Sequence, residues 1–346
     1  MPIFSAVDFD NHEQISFFYD KKTNLKAIIA IHNTFRGPAL GGCRIWPYVN
    51  EQQAVADALR LSRGMTYKAA MANLPFGGGK AVIIGDPHKD KTPALLRAFG
   101  KCINRFHGSY ITGEDIGTSI KDMDLIAETT SYVAGHSNGS GDPSPFTAIG
   151  IYESICASVL YRLGKSSLNG INVAVQGLGH VGYNLCKLLA EAGAQLIVTD
   201  VNPELVRRAV TEFKARAVAP DDVYGVDADV FSPCAMGSII NDQTIPQLTC
   251  AIIAGSANDQ LERPIHGKIL MNKKILYAPD YIINAGGIIN ISYEGPSYDA
   301  ETVKRDVKKI PDTLLAIFRE AEVLHIPTNE VADRIAEKRF NTVDCC

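Results

Sequence analysis

The sequence has little that marks a membrane, secreted or nucleic-acid-binding protein. None of its apolar runs approaches the roughly 18 residues of a membrane-spanning helix. The first residues, MPIFSAVDFDNHEQ, contain no basic segment followed by an apolar one, which argues against a signal peptide. The formal net charge is only −4, so no basic surface for nucleic acid or anionic lipid is predicted. We therefore expect a cytoplasmic protein with no nucleic-acid partner and no membrane partner.

Patterned cysteine is also missing. The eight cysteines are scattered, without a C-x-x-C pair or a cluster with histidine. This predicts reduced thiols and no metal site, and no local signature supports a catalytic cysteine. The remaining composition, 46% hydrophobic and 21% charged, is that of an ordinary globular protein. A chain of 346 residues has room for about two domains of roughly 150 residues each.

Two lysines stand out in residues 63–80, RGMTYKAAMANLPFGGGK. Apolar spacing predicts a helix over residues 51–72, and Leu74-Pro75 should end it. Three glycines then allow close backbone approach before Lys80, where an apolar strand is predicted to begin. Lys68 near the helix end and Lys80 at the strand start could converge on one small anion. The alternative is a pair of solvated surface lysines.

The GGGK run is not a phosphate-binding loop. A Walker motif needs a glycine six residues before the lysine and a Ser or Thr after it. Leu74 and Ala81 occupy those positions.

Residues 1–137 are predicted to form an α/β domain with a mixed sheet. Thr118 is expected to cap a helix in this domain. The clearest loop, NGSGDPSP at 138–145, separates this domain from the next. The last helix, about 327–346, is expected to pack back on the first domain. The other predicted elements are strands at 14–19, 26–32, 42–48 and 110–112 and a helix at 92–106.

Residues 146–326 carry a dinucleotide-binding pattern. A buried strand at 173–176 leads into GLGHVG at 177–182, a helix follows, and the next apolar strand ends at Asp200. The glycines permit a tight turn and close approach of a pyrophosphate, and the helix N-terminus supplies a positive field. An acidic residue about 20 positions on typically binds the ribose hydroxyls. The alternative is a glycine turn without function.

The predicted cofactor is NAD. Asp200 would repel a 2′-phosphate, although Arg207 and Arg208 in the following helix weaken this preference slightly. Ligands in doubly wound sheets sit at the carboxyl ends of the strands, so the loops there should also face the cofactor. The candidate cofactor-binding residues are Gly177, Leu178, Gly179, His180, Val181, Gly182, Asp200, Val201, Pro233, Cys234, Ala235, Ser256, Ala257 and Asn284.

With Lys68, Lys80, Asp115 and the glycine motif together, the sequence resembles the amino-acid dehydrogenase family that acts on glutamate, leucine, phenylalanine and valine. The resemblance covers nearly the whole chain and is closest to the leucine, phenylalanine and tryptophan branch. The matching stretches are 27–34, 37–42, 57–70, 77–87, 110–118, 173–186 and 277–290.

The resemblance implies a fold, a reaction and an assembly. The N-terminal domain would bind substrate and form the oligomer, and a C-terminal Rossmann-type doubly wound domain would bind NAD. The reaction would be reversible oxidative deamination, in which an L-amino acid, NAD and water give a 2-oxo acid, ammonium and NADH. Family members are homo-oligomers, from dimers to octamers.

The resemblance also implies roles for individual residues. Lys68 would pair with the substrate carboxylate, Lys80 would polarise the carbonyl and help to activate water, and Asp115 would exchange protons with the amino group. These roles suit the chemistry, which needs a base before hydride leaves and a positive group for the developing alkoxide. By sequence alone Glu114 rivals Asp115. Further family positions are Thr147 near the nicotinamide, Asn258 near the substrate carboxylate, and Gly41 and Gly42 under the substrate's main-chain atoms.

The family's side-chain pocket corresponds to Leu40, Met65, Gly113, Ala134, Ile288 and Ile291. None of them is charged, which argues against a dicarboxylic substrate. The leucine branch usually has alanine at Gly113, threonine at Ala134 and valine at Ile288. Glycine at 113 and alanine at 134 make the pocket larger and less polar, and isoleucine at 288 makes it slightly smaller again. Leucine or another branched-chain acid is favoured, with phenylalanine or tryptophan as the alternative, unless these positions are plain core packing.

Two other classes remain as alternatives. One is a sensor that binds NAD or an amino acid without turnover, although both Lys80 and Asp115 are present. The other is a 2-hydroxy-acid dehydrogenase, which typically uses a His–carboxylate pair with an arginine. His88, His107 and His136 lie in loop-like stretches without a patterned partner. A requirement for ammonium would separate the two dehydrogenase classes.

Overall fold

The chain's architecture is known from a computed structural model that describes residues 3–137 and 139–341. These residues fold into two compact units. The first contains the described parts of Met1–Asp142, Ile291–Tyr298 and Ala336–Cys346. The second contains Pro143–Asn290 and Asp299–Ile335.

The first unit is built on a mixed sheet, as predicted. Its strands lie in the order β1-β2-β5-β3-β6, and β4 also pairs with β5. The pairs β1–β2 and β2–β5 are antiparallel, whereas β3, β4 and β6 join in parallel. The strands are β1 (Gln14–Asp20), β2 (Leu25–Asn33), β3 (Ala39–Leu40), β4 (Cys43–Trp46), β5 (Gly77–Ile84) and β6 (Tyr110–Ile111).

Helices α1 (Glu51–Met71), α2 (Pro93–Ile103) and α3 (Ile120–Ala127) complete this unit. Successive side chains of β5 point to opposite faces of the sheet. Val82 packs in the hydrophobic core that contains residues of α1, whereas Ile83 packs in the core that contains residues of α2 and α3. Lys80 is two residues before Val82 and therefore on the α1 face. This geometry follows from the strand period alone.

Two local predictions for this unit were wrong. Strand β5 begins at Gly77 rather than Lys80, because the glycines themselves pair with β2 and β3. Thr118 does not cap α3, whose N-cap is Ser119. Instead the Thr118 hydroxyl accepts the Asp115 backbone N–H at 2.9 Å, which closes a turn around Asp115.

The second unit has a fully parallel sheet in the order β12-β11-β10-β7-β8-β9. This is the doubly wound order of dinucleotide-binding folds, so the predicted Rossmann-type domain is confirmed. Its central strands are buried on both faces, as parallel sheets require. The strands are β7 (Asn172–Gln176), β8 (Gln195–Thr199), β9 (Arg216–Ala217), β10 (Val230–Pro233), β11 (Ile252–Ile253) and β12 (Leu276–Tyr277).

The remaining helices follow in sequence. They are α4 (Ser144–Leu163), α5 (His180–Glu191), α6 (Pro203–Phe213), α7 (Ile265–Asn272), α8 (Asp280–Ile283), α9 (Gly286–Ser292), α10 (Ala300–Val307), α11 (Ile310–Leu324) and α12 (Thr328–Asn341). The end of α12 belongs to the first unit, where Arg339 donates to the carbonyl oxygens of Ala70 and Met71 at the end of α1. Positions 342–346, which include Cys345 and Cys346, lie outside the described residues.

Among the residues that the structure describes, no helix combines the length and apolar character needed to cross a membrane. The six cysteines within the same residues are free thiols.

Candidate active site

Glycines bring three backbone segments of the first unit into close contact. A Cβ atom at Gly41 would overlap the carbonyl oxygen of Gly79, and one at Gly42 would lie 2.5 Å from that of Glu114. Backbone hydrogen bonds join the same segments, from the Ala81 N–H to the Gly42 oxygen at 3.2 Å and from the Gly41 N–H to Ile111 at 3.1 Å. Larger residues at Gly41 or Gly42 would push these segments apart.

Lys80 and Asp115 meet at this junction. The Lys80 Nζ lies 2.9 Å from the Asp115 Oδ2, and the two side chains are 7% and 19% exposed. Burial alone would raise the pKa of Asp115, but the charges of Lys80 and Arg44 overcome this effect and lower it to about 2. Asp115 is therefore a charged carboxylate in contact with an ammonium group.

Arg44 on β4 makes a second contact with the same oxygen. Its Nε donates to the Asp115 Oδ2 at 3.0 Å, and its Nη1 donates to the Asp57 Oδ2 at 2.9 Å. Asp57 on α1 also accepts from the Tyr48 hydroxyl at 2.9 Å and from Arg60 at 2.8 Å. Sequence analysis missed this network, because nothing in strand or helix spacing shows which distant charges will pair.

Lys68 lies on the helix face that approaches the glycines. Met65 Cγ would be 3.4 Å from a Cβ atom at Gly41, so this face of α1 contacts the β3–β4 loop. Residues three apart share a helix face, which places half-buried Lys68 on the side of Met65. Lys68 therefore lies on the side of α1 that approaches the Gly41–Gly42 loop.

Two predicted pocket positions are neighbours beside Asp115. A Cβ atom at Gly113 would lie 3.6 Å from the Ala134 carbonyl oxygen, and the Ala134 N–H donates to Thr112 at 2.8 Å. The Gly113 oxygen accepts from the Cys43 N–H at 2.8 Å. Leu40 is buried one residue before the glycine pair.

Glu294 holds the loop that follows Ala134. Its carboxylate accepts from the Gly135 N–H at 2.7 Å and the Ser140 hydroxyl at 2.9 Å, and it lies 3.2 Å from His136 Nε2. The Glu294 N–H donates to the Ile291 oxygen at 3.0 Å. This carboxylate, which sequence analysis also missed, fixes the backbone next to two predicted pocket residues.

The glycine motif of the second unit forms the predicted turn between β7 and α5. Gly177 has a φ of +98°, and a Cβ atom there would lie 2.7 Å from the Ala235 Cβ. One at Gly182 would overlap the Gly177 oxygen, whereas Gly179 has open space around it. Gly179 is the N-cap of α5, so the helix N-terminus is approached without a side chain. This is a cradle into which a diphosphate fits.

Asp200 lies against this turn. Its Oδ2 accepts the Leu178 N–H at 2.6 Å, and its Oδ1 accepts the Asn202 N–H at 2.8 Å. Leu178 itself is buried in the core, and Val181 packs partly against that core, so their side chains are structural. Val201 is 90% exposed at the carboxyl end of β8.

The loops after β10 and β11 lie beside the glycine turn, as expected for this sheet edge. Cys234 Cβ would be 3.3 Å from a Cβ at Gly182, and burial raises the pKa of its thiol. Asn284 donates to the Ser256 oxygen at 3.1 Å and to the Asn258 Oδ1 at 2.9 Å. The Asn284 Oδ1 is buried without a hydrogen-bond partner among the described residues, which leaves an acceptor for a ligand.

Other predicted residues of this unit also lie close together. Pro233 and Ala257 are joined by a backbone hydrogen bond of 2.9 Å. Thr147 lies near the N-terminus of α4, and its hydroxyl would be 2.9 Å from a Cβ at Gly287, next to buried Ile288. The site residues that sequence analysis assigned to the second unit therefore cluster around its carboxyl sheet edge.

Comparison with known proteins agrees with this geometry. Residues 12–132 match the family model for the Glu/Leu/Phe/Val dehydrogenase dimerisation domain, and residues 201–324 match that for glutamate/leucine/phenylalanine/valine dehydrogenase. The chain is 53% identical to leucine dehydrogenase of Geobacillus stearothermophilus, over 99% of this chain and 94% of that protein. It is 48% identical to phenylalanine dehydrogenase of Caldalkalibacillus thermarum, over 97% and 94%.

A solved structure extends the similarity to the fold. L-tryptophan dehydrogenase from Nostoc punctiforme superposes with a TM-score of 0.82 at 49% identity, covering 96% of each chain. The resemblance stated from the sequence is thus confirmed for the family, the branch and the two-part α/β fold. The chain belongs to the Glu/Leu/Phe/Val dehydrogenase family and is an amino acid dehydrogenase.

Proposed function

We propose that the protein catalyses reversible, NAD-dependent oxidative deamination of a hydrophobic L-amino acid, with leucine and other branched-chain acids favoured. The products would be the 2-oxo acid, ammonium, NADH and a proton. The observation that carries this proposal is the largely buried Lys80–Asp115 contact of 2.9 Å beside the Gly41–Gly42 loop. In a largely buried site, an ammonium group can stabilise the oxygen on the substrate's α-carbon, and a carboxylate can exchange protons with the nitrogen on the same carbon.

Each charged group has a defined task in this reaction. Lys68 would hold the substrate carboxylate, and Asp115 would take a proton from the substrate ammonium so that the nitrogen lone pair becomes available. NAD, when bound, accepts the hydride from the α-carbon. Lys80 would then stabilise the oxygen of the water that adds to the resulting iminium carbon, and this water would lose one proton to solvent. Asp115 would return its proton to the nitrogen. As the C–N bond breaks, Asp115 would take the remaining hydroxyl proton and pass it to the departing ammonia, which gives ammonium.

The glycine turn of the second unit supports a dinucleotide-binding role, and the charged side chains near it favour NAD over NADP. Asp200 presents a carboxylate at the glycine turn, where a 2′-phosphate would be repelled. Arg207 forms an ion pair with Glu204, and Arg208 pairs with Glu212 at 2.9 Å. Both arginines are therefore engaged along α6. We accordingly assign the NAD-binding role to residues 146–326.

The proposed substrate side chain is apolar. Leu40 precedes the Gly41–Gly42 loop, Met65 approaches that loop, and Gly113, two residues before Asp115, is a neighbour of Ala134. None of these four residues could neutralise a second carboxylate. The substrate contacts of these four residues, and those of Asn258, Ile288 and Ile291, are predictions. Relatives of similar identity are named for leucine, phenylalanine and tryptophan, so an aromatic substrate is the second candidate.

We also propose that the chain forms a homo-oligomer through its first unit, residues 1–137. Strand β1 lies at the edge of the sheet, with Phe17 57% and Tyr19 66% exposed. An exposed aromatic edge strand is a natural pairing surface for a second copy. The family model that covers this strand describes a dimerisation domain.

A cytoplasmic location is proposed from the unpaired thiols.

The first test is oxidation of NADH with ammonium and a panel of 2-oxo acids. The panel contains 4-methyl-2-oxopentanoate, 3-methyl-2-oxobutanoate, phenylpyruvate and indolepyruvate. We expect turnover that needs ammonium, prefers NADH to NADPH, and is fastest with a branched-chain acid. Turnover without ammonium would indicate a 2-hydroxy-acid dehydrogenase. Absence of turnover in folded protein that binds NADH would support the sensor alternative.

A further inference from the structure

Arg44 contacts the proposed base of the reaction without having been assigned a role. It shares the Asp115 Oδ2 with Lys80, at 3.0 Å and 2.9 Å respectively. Two cations on one carboxylate oxygen are more than charge balance at Asp115 requires. Their surroundings suggest that the two cations have different tasks.

Lys80 is able to leave Asp115, whereas Arg44 is fixed. A lysine ammonium is a single group on a flexible stem, and the proposed reaction needs it at the substrate oxygen. The planar guanidinium group of Arg44 is held at two points, by Asp115 through Nε and by Asp57 through Nη1 at 2.9 Å. Turning Arg44 away would break both contacts.

Asp57 is itself a firm anchor. It accepts from Arg60 and from the Tyr48 hydroxyl in addition to Arg44. Burial raises its pKa, but Arg60, Tyr48 and Arg44 together lower it below the usual range. Burial and the neighbouring Asp57 raise the pKa of Tyr48, which keeps its hydroxyl as a donor. The anchor thus keeps its negative charge at neutral pH.

We propose that Arg44 is a positioning residue that keeps Asp115 ionised and correctly oriented while Lys80 is engaged with the substrate. This inference rests on the proposed roles of Lys80 and Asp115. Without Arg44, movement of Lys80 toward the substrate would leave a largely buried carboxylate without a counter-charge, which is strongly unfavourable. The carboxylate would then take up a proton and could no longer accept one from the substrate.

The groups around Asp115 determine how this would appear in a pH profile. Each opposite charge within contact lowers a carboxyl pKa by about 1–3 units. The thiol of Cys43 and the hydroxyl of Tyr110 have their pKa values raised by burial and by Asp115, so both stay protonated. The charged and titratable groups that face Asp115 are Lys80 on β5, Cys43 and Arg44 on β4, Tyr110 on β6, Tyr48 after β4 and, through Arg44, Asp57 on α1.

The test compares three variants in the direction of 2-oxo acid reduction, at saturating NADH, ammonium and 4-methyl-2-oxopentanoate. Arg44→Met removes the charge at similar volume, Arg44→Lys keeps the charge but loses the planar guanidinium group, and Arg60→Met is the matched control on Asp57. The dependence of kcat on pH reports groups in the enzyme–substrate complex. Thermal unfolding and the Kd for NADH verify that each variant is folded.

We expect Arg44→Met to move the acidic limb of kcat upward by about one pH unit or more. Its plateau should fall by about 10–100-fold, because the base is no longer held in place. Arg44→Lys should keep the wild-type acidic limb with a reduced plateau, and Arg60→Met should resemble the wild type. The inference would be overturned if the acidic limb of kcat lay at the same pH in the wild type and Arg44→Met. It would also be overturned if Arg60→Met moved that limb as far as Arg44→Met does. An inactive wild type would instead refute the proposed function, and the inference with it.

Discussion

Gly113 offers the sharpest test of substrate choice, because it can be changed without disturbing the fold. An added Cβ would meet only the Ala134 oxygen within 4 Å among the described residues, at an ordinary contact distance of 3.6 Å. The backbone there does not have the positive φ that would strain alanine. Gly113→Ala should therefore fold normally, and it would gain slightly in stability from a less flexible unfolded chain.

The methyl group would instead narrow the proposed pocket two residues from Asp115. One methyl or methylene in an apolar pocket changes substrate discrimination by about 1–3 kcal/mol, or about 10–200-fold. We expect the ratio of kcat/KM for 4-methyl-2-oxopentanoate to that for phenylpyruvate to rise by at least about tenfold. Steady-state assays with NADH and ammonium would measure both values.

A matched control exists in the second unit. A methyl group added at Gly225 would meet no atom of the described residues within 4 Å, and Gly225 has no positive φ. Gly225→Ala should therefore leave the ratio unchanged. If Gly113→Ala changes the ratio by less than about twofold while folded, Gly113 is core packing and the pocket assignment is wrong.

Three further predictions concern catalysis, cofactor choice and stability. Lys80→Ala should lower kcat by at least about 100-fold, because the positive charge proposed to act on the substrate oxygen is lost. The Kd for NADH should change little, and Arg44 would still neutralise Asp115 in this variant. Near-normal turnover would refute the proposed role of Lys80. Asp200→Ala should reduce the preference of kcat/KM for NADH over NADPH, and a variant that still strictly requires NADH would place specificity elsewhere. His32 is buried with its pKa lowered to about 4 by burial and by His12, so the folded state resists its protonation. The free energy of unfolding should therefore decrease as the pH falls below about 6.5, and His32 should account for about 2 kcal/mol of this decrease at pH 5. Denaturant unfolding should show a decrease smaller by this amount in His32→Gln. An equal pH dependence in the wild type and the variant would contradict the prediction.

The sequence predicted those parts of the site that depend on local pattern. The strand–glycine–helix order located the glycine turn between β7 and α5, and helix and strand periods placed Lys68 near the end of a helix and Lys80 in a strand. It did not predict Arg44 and Asp57, which are brought together only by the parallel pairing of β4 with β5 and by the packing of α1. The hydroxyl of Thr118 was assigned to a helix cap, but it accepts the Asp115 N–H, and Ser119 occupies the N-cap position of α3.

Substrate choice is the property that overall similarity leaves open. Relatives named as leucine, tryptophan and phenylalanine dehydrogenases are 53%, 49% and 48% identical to this chain, a difference too small to select among them. The charged groups proposed for the reaction, Lys68, Lys80 and Asp115, would act on the carboxylate, the carbonyl oxygen and the amino group, which all these substrates share. Discrimination must therefore come from a few apolar contacts, each worth about 1–3 kcal/mol. Gly113 lies two residues from Asp115, yet Asp115 is held by other groups, since Thr118 accepts its backbone N–H and Arg44 donates to its carboxylate. A change at Gly113 can thus alter which side chain fits without altering the chemistry.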